Sequence, residues 1–110
     1  MRVNTKMYLV VDEDLYKKHR GLVINSIAHA SLIAHLKWEN RYEKAIYQGW
    51  LKYSFRKVTV TADKETMEEI RQSMTTVDVT ESALDNNVTL LVVHPRHFDS
   101  PILEELKLLK

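Results

Sequence analysis

The chain has no cysteine, only two glycines and two prolines, and no apolar run long enough to cross a bilayer. Each absence excludes something. Without cysteine there is no disulfide, no thiolate nucleophile and no cysteine-ligated zinc. With glycine only at 21 and 49, neither a Walker phosphate loop nor a dinucleotide fingerprint can be built, and no serine nucleophile elbow occurs. The longest apolar helix pattern is cut by Asn25, His29 and His35, short of the roughly 18 residues that a bilayer span needs. The opening residues lack the charged-then-apolar order of a secretory leader, because Met7 to Val11 is short and runs straight into acids. A cytoplasmic protein that does not engage a membrane is therefore expected.

What is present points to a folded chain. Its 110 residues are 45% hydrophobic with no long charge block, enough for one core and too few for two. A single domain over residues 1–110 is expected. The formal net charge of +1 conceals an asymmetry: residues 1–57 carry eleven Lys and Arg against five Asp and Glu, and residues 58–110 carry five against ten. A positive face built mainly by the first half would suit phosphates or an acidic partner, unless the signs interleave once the chain folds.

Hydrophobic patterning sets the elements. Lys6–Asp12 is a short continuous β-branched and aromatic run, as in a central strand covered on both faces. A charged loop, 13–20, leads into an apolar helix over about Gly21–Trp38, whose Ser26, Ala30 and Ala34 form a small-residue edge for packing on a sheet. Its apolar residues cover most of the circumference, which predicts a largely buried helix. Residues 39–47 read as a short surface helix before the loop at 48–53. Arg56–Thr61 alternates as a second strand, and Asp63 is placed to cap a helix with Met67, Ile70 and Met74 inward. Thr75–Ala83 and Val88–His94 predict an antiparallel hairpin that Pro95 ends; a last helix starts at Pro101 after Ser100. The order predicts a three-layer α/β/α fold on a four-stranded mixed sheet, its first two strands parallel.

Asn25 and His29, four residues apart, share a face of the apolar helix. A polar group in such a setting is either hydrogen-bonded internally or placed in the crevice that commonly forms after the first strand of an α/β sheet.

The same stretch resembles the class 2 peptidyl-tRNA hydrolases and the uncharacterised bacterial proteins that share their fold. Leu9-Val10-Val11 and Asp14-Leu15 are similar to that family's first strand and Asp-Leu pair; Gly21, Asn25, Ala28, His29 and Ala30 fall on its glycine, its glutamine or asparagine, and its alanine-histidine-alanine run. Arg56-Lys57-Val58-Thr59-Val60, Glu65-Thr66-Met67, the strand Val88–Val93 with Pro95, and Leu106-Lys107-Leu108 resemble later segments. Most of the chain is covered by short motifs. Two departures bear on activity. Leu22 stands where the family carries lysine, and Glu81–Asn87 replaces an aspartate-alanine-glycine-arginine-threonine segment. Ester cleavage needs a positioned water, a proton acceptor and an oxyanion donor, and these departures remove a lysine charge and a carboxylate–hydroxyl pair.

The resemblance therefore implies the family fold, with a crevice that binds a nucleotide or RNA end. The alternative is an active hydrolase centred on His29 with Asn25. Asp12, His19 and Arg20 from the first strand-helix unit, with His94, Arg96 and His97 after the fourth strand, would hold phosphate if those strands ran the same way and brought the groups together. The His94-Pro95-Arg96-His97 spacing matches no zinc motif, so neither metal nor cofactor is expected. Between 38 and 57, Trp38, Tyr42, Tyr47, Trp50, Tyr53 and Phe55 interleave with Arg41, Lys44, Lys52, Arg56 and Lys57. They could form an RNA platform or a homodimer surface, or Trp38, Trp50 and some tyrosines could simply plug the core.

Overall fold

A computed structural model describes residues 5–39, 44–97 and 100–110. Strand β1 (Lys6–Asp12) is central. Its residues alternate between two cores: Met7, Leu9 and Val11 face one side, Tyr8 and Val10 the other. That accounts for its unbroken apolar run, since a strand covered on both faces has no polar side to show. Strand β2 (Arg56–Ala62) runs parallel to β1, and β4 (Asn87–Arg96) runs antiparallel on its other flank. The expected hairpin forms between β3 (Thr76–Glu81) and β4. It closes through a 3-10 turn at Ser82–Leu84 and two left-handed residues, Asp85 (φ 54°) and Asn86 (φ 58°), residue types that tolerate that region.

The helices complete three layers. Helix α1 (Glu13–Lys18), α2 (Arg20–Trp38) and α3 (Lys44–Gly49) precede β2, with a π-helical turn at Trp50–Ser54 between α3 and β2. Val23, Ala30, Ala34 and Trp38 of α2, with Tyr47 and Trp50, build the core on one sheet face. Helix α4 (Lys64–Ser73) supplies Met67 and Ile70, and α5 (Pro101–Glu104) supplies Leu103, to the core on the other. Among the described residues no helix is long and apolar enough to cross a membrane.

Several expectations are corrected. The sheet has five strands, in the order β3-β4-β1-β2-β5, because the chain after α5 forms a short strand β5 (Lys107–Leu108) on the free edge of β2. Pro95 does not end β4. The register slips between the Tyr8–Val93 and Lys6–Arg96 pairs, and a proline is tolerated at such a bulge, where no ladder donor is required. The stretch after β1 is a helix rather than a loop: the Asp12 carboxylate accepts from the N–H groups of Asp14 and Leu15, with acids in the first turn and Lys17 and Lys18 in the last. Helix α2 is not buried all round. Its Ser26–Ala30–Ala34 edge packs inward as expected, whereas Ile24, Asn25, Ala28, His29, Leu32 and Leu36 face solvent. Part of the expected surface helix at 39–47 lies outside the described residues, as do Arg41 and Tyr42 and the side chain of Lys44.

Candidate functional site

Where two parallel strands end side by side, the loops that follow them leave a crevice. Here β1 ends at Asp12 and β2 at Ala62, paired in register, and each strand is followed by an aspartate-capped helix. On the α2 side of this edge lies an open cleft of about 630 Å³ lined by Glu13, Tyr16, Lys17, Arg20, Thr61, Lys107, Leu108 and Lys110. Four of these side chains are cationic and one is a carboxylate. Arg20 is held in place: its guanidinium lies 4.9 Å from the centre of the Tyr16 ring and donates to the Lys110 carbonyl at 3.0 Å. The Tyr16 hydroxyl donates to the same carbonyl at 3.1 Å. Pairing of Thr61 with Lys107 then brings the second lysine to the rim. Such a cleft can neutralise a phosphate group by several exposed cations at once, and Arg20 can present a forked donor pair to it.

The sequence-nominated residues divide into four groups. Arg20 lines the cleft, and His19 sits beside it at the junction of α1 and α2, exposed. Asp12 is buried and its carboxylate is engaged as the cap of α1. Asn25 and His29 are exposed on α2 one and two turns beyond Arg20, and neither lines the cleft. Because they face solvent, neither requires an internal partner.

His94, Arg96 and His97 lie at the opposite end of the sheet. The expected convergence with Asp12 and Arg20 does not occur, because β4 is antiparallel to β1 and its last residues pair with the start of β1, Arg96 against Lys6. The His94 ring is buried edge-on against Trp38, 4.8 Å between centroids, with Nδ1 3.2 Å from the Pro95 carbonyl. Arg96 is half-buried, and His97 is exposed with Nδ1 2.8 Å from the Thr5 hydroxyl. Among the described residues no three His, Asp or Glu side chains gather as a metal site.

Lys17, Tyr16, Lys107 and Lys110 line the cleft and are missed by sequence reasoning. Lys17 is legible as part of a basic run before α2. The two later lysines reach the cleft only because β5 docks on β2, a pairing no local pattern announces. As a result the cleft mixes cations from both halves of the chain.

A second group of aromatics meets at the start of β2. Trp38, Tyr47 and Trp50 are buried, so they do plug the core, whereas Tyr53 and Phe55 are exposed. Tyr47 donates or accepts at 2.8 Å with His35 Nδ1, and His35 Nε2 lies 2.8 Å from Glu39. Burial, with a smaller contribution from the Glu39 charge, pushes the Tyr47 phenol above its ordinary range.

The fold and the match of the chain to a known family agree. Residues 5–109 match the family described as peptidyl-tRNA hydrolase PTH2. The chain belongs to that family. No curated protein matches it. It is thus a peptidyl-tRNA hydrolase-like domain, with Leu22 half-buried in the first turn of α2.

Proposed function

We propose that this peptidyl-tRNA hydrolase-like domain binds the phosphate-bearing end of an RNA or nucleotide in the basic cleft at the ends of β1 and β2, without the family hydrolysis. The observation that carries this is the gathering of Lys17, Arg20, Lys107 and Lys110 around one open cleft beside one acidic side chain, Glu13. Leu22 supplies no positive charge, and the β3–β4 turn, Glu81–Asn87, lacks the aspartate-alanine-glycine-arginine-threonine segment of the resembling hydrolases. Affinity should fall as salt rises, because each phosphate contact releases counterions. In a titration of labelled single-stranded RNA, Arg20→Ala and Lys107→Ala each weaken binding and flatten its salt dependence. If neither RNA nor inorganic tripolyphosphate binds the wild type at low salt, the proposal fails.

One observation favours a second reading, an active hydrolase. The imidazole of His29 is exposed on α2, within the alanine-histidine-alanine run, and so is open to a substrate. On that reading the pure protein releases peptide from peptidyl-tRNA, and His29→Ala abolishes release at unchanged stability. A wild type with no turnover eliminates it.

A further inference from the structure

We propose that the aromatic pocket at the start of β2 is a subsite for one unstacked nucleobase, so that the ligand of the basic cleft is a single-stranded RNA spanning both, not a free mononucleotide. This rests on the phosphate-binding role given above to the cleft. The pocket measures about 290 Å³ and is lined by Ser31, Leu32 and His35 of α2, by Tyr47, Trp50 and Leu51, and by Phe55 and Lys57. That volume lies at the small end for ligand sites, suited to one base and not to a whole nucleotide.

Phe55 is the telling residue. It adopts a left-handed backbone (φ 58°), unusual for a bulky side chain, and still leaves its ring 57% exposed. Neither the strain nor the exposure is compensated by core burial. Such outliers cluster where a ligand is gripped. The residue closes a π-helical turn, a feature also frequent at functional sites, through its N–H to the Trp50 carbonyl at 2.6 Å. Beneath it Trp50 is buried. The Trp50 indole stacks on Phe55 with centroids 5.4 Å apart and 23° between planes, and its Nε1 donates to the Arg56 carbonyl at 2.7 Å. The Lys57 ammonium lies 3.5 Å from the Phe55 ring centre, and partial burial pushes its pKa below the ordinary lysine range.

Charge and spacing select a base over an apolar side chain. Val58, Val60 and Ala62 point into the core under α4, so Lys57 and Thr61 share the opposite face of β2. Lys57 lines the aromatic pocket and Thr61 the basic cleft, four residues and roughly 13 Å apart along the strand. An exposed ring, Phe55, backed by Trp50 and beside a cation, with a basic cleft further along the same face, is the arrangement that single-stranded nucleic acids use.

The test uses a labelled uridine hexanucleotide and, separately, tripolyphosphate. Phe55→Gly removes the ring while relieving the left-handed backbone, so loss of folding does not confound it. It should weaken RNA binding by roughly 5- to 150-fold and leave tripolyphosphate binding unchanged, with Phe55→Trp retaining RNA affinity. Arg20→Ala should weaken both ligands. Equal RNA affinity in Phe55→Gly and wild type, with Arg20→Ala still impaired, overturns the subsite and leaves the cleft standing. Absence of binding by either ligand to the wild type overturns both. An aromatic tripeptide that shifts the Phe55 ring resonances when the RNA does not would also overturn it, in favour of a peptide.

Discussion

The two ends of the central strands carry similar side chains in opposite settings. At the C-terminal ends of β1 and β2, Arg20 and three lysines stand around an open cleft. At the other end of β1, the close of β4 delivers His94 into an aromatic cluster with Trp38 and Tyr47, where it is 8% exposed. A histidine or arginine following a strand is therefore not a site by virtue of its type. What decides is which end of the sheet it reaches and whether large rings already fill that space. Strand direction decides the first, and the aromatic content of residues 38–55 decides the second.

Removing the rings should break this contrast most severely. Trp38 is 1% exposed and joins α2 to Tyr47 and His94, with centroids 6.3 and 4.8 Å away. Trp38→Ala should lower stability by about 3–5 kcal/mol, a large share of what a domain of this size has. Denaturant titration checks the magnitude. The folded fraction should still bind tripolyphosphate, since the cleft lies at the far end; loss of binding in folded protein would show that the two ends are coupled.

A smaller change separates the cap from the basic cleft at the open end. Asp12→Ala deletes the acceptor for the N–H groups of Asp14 and Leu15 and should cost about 1 kcal/mol. Asp12→Asn should recover most of that. Neither should weaken RNA binding. If Asp12→Asn restores stability but not affinity, Asp12 belongs to the ligand site as well as to the cap.

Much of this is legible in the sequence, and the failures have physical causes. The unbroken run of β1, the parallel β1–β2 pair, the β3–β4 hairpin, the Asp63 cap and the Ser26–Ala30–Ala34 edge all follow from local pattern. Helix α1 reads as a loop because it has no apolar stripe, although its acids-first, lysines-last order is a helix signal. The outer face of α2 is misjudged because apolar residues occupy both sides of it, and composition cannot say which side meets the sheet. Strand β5 and the bulge at Pro95 depend on partners distant in sequence, and so do the cleft lysines 107 and 110. The site is hardest to see where it is assembled by pairing rather than by pattern.

The smallest expected effect compares how the two ends respond to pH. At the open end the Thr66 backbone N–H, followed by its side chain, holds the Asp63 carboxyl below its ordinary value near 3.8. A carboxyl lowered in the folded state contributes stability above its unfolded pKa and loses it as pH falls through the folded one. Asp63→Asn should therefore flatten the loss of stability below about pH 4. At the packed end the sign reverses. Burial raises the Tyr47 phenol, so the protonated ring is favoured by folding, and its contribution is complete below the unfolded pKa and lost as pH rises past the folded one. Tyr47→Phe should flatten the alkaline limb above about pH 10, where its removed charge would form. Melting temperatures of the two variants across both limbs separate the ends. If Tyr47→Phe leaves the alkaline limb unchanged, burial of the phenol does not set the pH response of the packed end and the contrast is weaker than the packing implies.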